Sequence, residues 1–251
     1  MRSGNPALKA SAFLDLGNGT VTTASDGVMT LNGTVNRTAF LLILSLVGAM
    51  YTWNLFFASA GTANLMPYVL VGALGGFGVA MVTIFKKTWA PFTAPLYAVL
   101  EGVFIGAISA TFEQRYPGLV IQAVGLTFGT LGALLLAYRS GLVKATENFK
   151  LGVVAATGGI AILYLVNIVM GFFGHSMGFI HESSWIGIAF SGFVVVIAAL
   201  NLVLDFDMIE QGVEQGAPKY MEWYASFALL VTLVWLYLEI LRLLSKLQSR
   251  N

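Results

Sequence analysis

The sequence predicts an all-α membrane protein of seven transmembrane helices, and three observations carry that prediction. Of its 251 residues, 57% are hydrophobic and only 10% charged, at a mean hydropathy of +0.82. Water-soluble domains carry about 25% charge, so this chain has too few ionic groups to cover a water-facing surface and lipid must cover it instead. Second, the apolar residues gather into seven runs, at 38–58, 66–85, 94–112, 118–138, 151–173, 185–204 and 224–244. At about 1.5 Å per residue each run spans about 30 Å of hydrocarbon as a helix, whereas barrel strands would be about half as long and would alternate in polarity. Third, the connectors are short and polar, which makes them turns between antiparallel spans and leaves no room for a soluble domain.

Residues 1–35 are rich in Gly, Ser, Thr and Asn. They contain no long apolar run and no cleavage-like cassette, so they read as a polar surface tail ahead of a membrane domain at 36–251. The Asn-X-Thr sites at Asn18, Asn32 and Asn36 matter only in a glycosylating compartment. Lys and Arg counts then orient the bundle. The tail with Arg37 carries three, the second-to-third connector two, the fourth-to-fifth three and the sixth-to-seventh one, against four on the other side: Arg115, Arg242, Lys246 and Arg250. A multi-pass protein of the cell membrane with a cytoplasmic N-terminus is expected. The three C-terminal cations run against that rule, and a re-entrant last segment would be the way to reverse them.

Small residues recur at the spacing that lets helix backbones approach, in Gly102–Gly106 and Gly125–Gly129, either within the chain or between subunits. The sequence leaves the oligomeric state open. The net charge of +1 gives no reason to expect a nucleic-acid partner, and with no cysteine there is no disulfide, thiolate nucleophile or cysteine metal site.

Three carboxylates fall inside the apolar runs or at their edge. With the sixth helix continued to about Gln211, Asp205 lies about 10 Å inside its cytoplasmic end, and Glu101 lies about as deep in the third helix. The two share a level. Glu239 sits about 25 Å from the cytoplasmic end of the seventh helix, toward the outer face, with Arg242 three residues on as a local partner; it joins Asp205 and Glu101 as a candidate ion-pathway and pH-sensing group. A charge in low dielectric is costly, so Glu101 and Asp205 should each face water, a cation or a hydrogen-bond donor, or stay protonated. Such a pair binds a cation when ionised and releases it when protonated. Asp207, Glu210 and Glu214 continue toward the membrane surface as a candidate cytoplasmic mouth. Tyr51, Asn54, Tyr97, Gln122, Tyr164, Asn167 and Asn201 are further intramembrane polar groups. His175 and His181 share one short connector with Glu182 and do not make a metal site unaided. No phosphate loop, Gly-X-Ser-X-Gly stretch or matched nucleophile and base is present, so neither an enzyme nor a cofactor is expected.

The seven runs together with Glu101-Gly-Val-Phe-Ile-Gly-Ala-Ile-Ser109, Tyr116-Pro-Gly-Leu-Val-Ile-Gln-Ala123 and Leu204-Asp-Phe-Asp-Met-Ile209 resemble the Bax inhibitor and YccA-like family over about residues 35–248. The resemblance implies six helices around a central seventh. It also implies a pH-sensitive calcium leak, latched by two aspartates on the sixth and seventh helices with an arginine partner. Asp205 matches the first aspartate, but Thr232 stands where the second would be. Glu101 is therefore expected to take over the pairing with Asp205. The resemblance further suggests an alternative role as a non-conducting regulator of another membrane protein, such as a quality-control protease.

Overall fold

The computed structural model describes residues 27–174 and 184–250. Within them lie seven helices: α1 Leu31–Ala58, α2 Met66–Phe85, α3 Ala90–Arg115, α4 Leu119–Arg139, α5 Glu147–Phe172, α6 Trp185–Glu214 and α7 Met221–Gln248. All seven are long and apolar enough to cross a membrane. Asn18, His175, His181 and Glu182 lie outside the described residues.

Local chemistry sets the helix ends. Thr30, Thr146 and Ser184 stand in extended conformation before α1, α5 and α6, and their hydroxyls accept the N–H groups of Gly33, Phe149 and Gly187, satisfying donors the first turn leaves open. Prolines at the first positions of α2 and α3 give up an N–H that would have no partner there. Between α3 and α4 the chain reverses at Gly118, whose φ of +82° suits glycine. The Glu113 carboxylate then accepts the N–H groups of Gly118 at 2.7 Å and Val120 at 3.1 Å.

α7 is the axis. Of its most apolar stretch 61% is buried, against 11% for α5, so α5 lies at the rim and α7 in the middle. α7 packs against α1, α3, α4 and α6. It runs unbroken for 28 residues, long enough to cross a membrane in one pass. The C-terminal cations are each engaged where they stand. Arg242 pairs with Glu239, Lys246 donates to the Gly187 carbonyl and Ser191 hydroxyl, and the Arg250 guanidinium lies 3.6 Å above the Trp185 ring centroid.

Two boundaries differ from the sequence reading. α1 begins at Leu31 rather than 38, and the residues before it are not loose: Val28 bridges Pro218 and the Met29 N–H donates to the Ala217 carbonyl at 2.8 Å. The polar tail therefore stops short of 35, because partners from the α6–α7 turn hold residues 28–30 in place. α6 runs to Glu214, past the apolar run that ends at 204 and three residues past the expected continuation to Gln211, so the acidic segment is helical throughout.

Of the two glycine pairs, Gly102 and Gly106 on α3 press against α1, where an added Cβ would collide with the Ser45 and Ala49 carbonyls. Gly125 and Gly129 on α4 have nothing within 4 Å of such a Cβ. Of the two ways such spacing can be used, the α3 pair packs within the chain, and no helix of this chain covers the α4 pair.

Candidate functional site

Asp205 stands nine residues before the end of α6, about 13 Å inside it, and Glu101 stands eleven residues into α3, about 16 Å inside. Both line a single cavity of about 590 Å³ in the N-terminal-side half of the bundle, walled by α2, α3, α6 and α7. The remaining polar lining comes from Tyr97, Tyr224 and Thr232, and no Lys or Arg lines the cavity.

Each carboxylate shares the cavity wall with a neutral polar side chain: Tyr97, one turn before Glu101 on α3, and Thr232 of α7 across from Asp205. The Thr232 hydroxyl donates to the Ala228 carbonyl of its own helix at 3.2 Å. Asp205 Oδ2 is buried without a hydrogen-bond partner. Glu101 has room because Gly76 of α2 faces it: a Cβ there would stand 3.2 Å from Glu101 Oε2. Phe227 meets Tyr97 edge-on at 4.9 Å between centroids, and the Lys87 ammonium lies 5.2 Å above the Tyr224 ring.

Two carboxylates with no basic neighbour make a site that must hold a proton, a cation or water, since an uncompensated charge in low dielectric costs several kcal/mol. Among the described residues no group of three or more His, Cys, Asp or Glu is gathered.

The other predicted acids lie elsewhere. Glu239 does not line the cavity. It is bound by Arg242 at 3.0 and 3.1 Å and by the Tyr164 hydroxyl at 2.9 Å, with the same guanidinium donating to Tyr164 at 2.7 Å. The local pair expected from its spacing is the pair formed, and it separates Glu239 from the ion-pathway group in which the sequence reading set it. Asp207 and Glu210 do not ring the cavity either: Lys150 holds Asp207 at 2.8 Å, and the Tyr138 hydroxyl donates to Glu210. Both ties bind α6 to its neighbours α5 and α4. Glu214 is exposed at the end of α6.

One ionic cluster escaped sequence reasoning. Glu222, in the first turn of α7, is fully buried; its Oε1 accepts from Lys219 at 2.7 Å and from the Thr30 N–H and hydroxyl at 3.0 and 2.9 Å, and its Oε2 pairs ionically with Arg37 at 3.1 Å. Arg37 reads in the sequence as one more surface charge. The Lys219–Glu222 spacing of three was the one available hint.

Fold and site together define a multi-pass helical membrane protein with a pair of acidic side chains in an intramembrane cavity. The chain belongs to the Bax inhibitor 1 like family, whose model matches residues 5–249. The match thus extends well into the polar tail, beyond the 35–248 range that the motifs suggest. No curated protein and no solved structure matches the chain. Thr232 of α7 and Asp205 of α6 line the same cavity, and no arginine does.

Proposed function

We propose that the protein is a passive, proton-sensitive cation pathway, with calcium the ion its oxygen donors suit and Asp205 and Glu101 the groups that sense protons. The observation carrying this reading is the buried, unpartnered Oδ2 of Asp205 in a cavity that Glu101 also lines. An unsatisfied buried acceptor costs about 1–3 kcal/mol; the unbonded Oε2 of Glu222 stands 3.1 Å from the Arg37 guanidinium, whereas no basic side chain lines the cavity of Asp205. A mobile proton or cation supplies that compensation. Ionised, the pair attracts a cation from the N-terminal side; protonated, it lets the cation go. With the second aspartate replaced by Thr232, Glu101 supplies the second charge.

The test is calcium release from liposomes carrying the wild-type chain, Asp205→Asn or Glu101→Gln. Release that depends on pH in the wild type and loses that dependence in both variants supports the proposal. Unchanged flux and pH response in both variants refute it. Vesicles inert at every pH, with a membrane protein that reproducibly co-purifies, would favour the regulatory role instead.

A further inference from the structure

A second cavity, of about 580 Å³, lies in the half of the bundle farther from the N-terminus. α3 and α7 form its floor, and it opens sideways between α1 and α4, which share no extensive contact. Its chemistry is the opposite of the acidic cavity's. The rim is Leu46, Met50, Ile121 and Phe128, between 50% and 70% exposed on the lipid-facing surface. Ile105 and Leu233 line the floor.

Several polar groups of this crevice are bonded to one another or to backbone, while Ser45, Trp53 and Asn54 also line it. The Ser109 and Tyr237 hydroxyls bond each other at 2.6 Å, the Thr127 hydroxyl donates to the Ala123 carbonyl at 2.8 Å, and Glu113 caps α4. Among the described residues the buried side-chain atoms without a partner belong to Arg37, Asp205 and Glu222, and none of these lines the crevice. The lining is mostly apolar, and an empty gap of this size forfeits the dispersion contacts of its lining. The opening is continuous with the lipid-facing surface at a depth where hydrocarbon is the solvent.

We propose that this crevice is a lipid site that takes one acyl chain of a bilayer phospholipid, entering between α1 and α4 from the leaflet opposite the N-terminus. The chain replaces the missing α1–α4 contact and packs its end against Leu233 and the Ser109–Tyr237 pair. The site is independent of the acidic cavity and of any ion flux.

The test uses the full chain in nanodiscs of phosphatidylcholine bearing a photoreactive diazirine within one acyl chain, with adducts mapped by mass spectrometry. Adducts on Leu233, Ser109 or Tyr237 are expected in addition to those on the rim. Adducts confined to the rim and the outer helix faces would overturn the site. Ala49→Phe, which places a ring in the crevice, should abolish the interior adducts while leaving those at Leu165 on the outer face of α5. Persistence of interior adducts in that variant would also overturn it. In a parallel arm with a photoreactive free fatty acid, interior labelling by the fatty acid and none by the phospholipid would refute the phospholipid assignment.

Discussion

Alanine at Gly102 and alanine at Gly125 should move stability in different directions, although the two glycines open the same four-residue motif. At Gly102 the new methyl falls on the Ser45 carbonyl, and at the reciprocal position Gly48 a Cβ would stand 2.7 Å from the Val99 carbonyl oxygen and 3.0 Å from the Val103 nitrogen. These obstacles are backbone atoms in the middle of helices, so no rotamer change relieves the clash and the helices must part. Parting also strains the Thr52 hydroxyl, which donates across the interface to the Val103 carbonyl at 3.1 Å. Overpacking of this kind costs about 1–3 kcal/mol, and the interhelical hydrogen bond adds about 0.6 kcal/mol. At about 1.4 kcal/mol per tenfold, Gly102→Ala lowers the folded-to-unfolded ratio by roughly one to two and a half orders of magnitude. Gly125→Ala meets open space, and helix propensity alone favours alanine by up to about 1 kcal/mol. Equilibrium unfolding in mixed micelles, with wild type as reference, reads both. The reasoning fails if Gly102→Ala is as stable as wild type, or if Gly125→Ala is destabilised as much as Gly102→Ala.

Calcium binding to the chain in nanodiscs should weaken as the medium is acidified, because protonation removes the negative charge that attracts the cation; radiocalcium binding across a pH series checks this, and Asp205→Asn should flatten the curve. Glu222→Gln leaves Arg37 and Lys219 without their shared carboxylate and loosens the segment before α1, so amide exchange over residues 28–34 should speed up while the middle of α7 stays protected. Breaking a buried ion pair costs about 3–5 kcal/mol, and the partial exposure of Arg37 and Lys219, 25% and 39%, places this case at or below the lower end. Glu239→Gln should lower thermal stability by releasing Arg242, and should leave the pH response of calcium flux intact; loss of that response would return Glu239 to the ion pathway.

The seven spans, the all-helical class and the depth of the two cavity acids are properties of one stretch at a time. Hydropathy finds an apolar run, and a fixed rise per residue converts position into depth, so Asp205 and Glu101 share a level on paper before any neighbour is known. Tertiary packing decides what surrounds them. Thr232 and Asp205 come together only because α6 and α7 are neighbours, and Glu222 becomes a buried anchor only because residues 28–37 fold back across the α6–α7 turn. The glycine motifs show the boundary most directly. Gly102 and Gly125 carry the same spacing, yet α1 covers one and nothing in this chain covers the other, because the face a helix turns toward its neighbours depends on every other helix in the bundle.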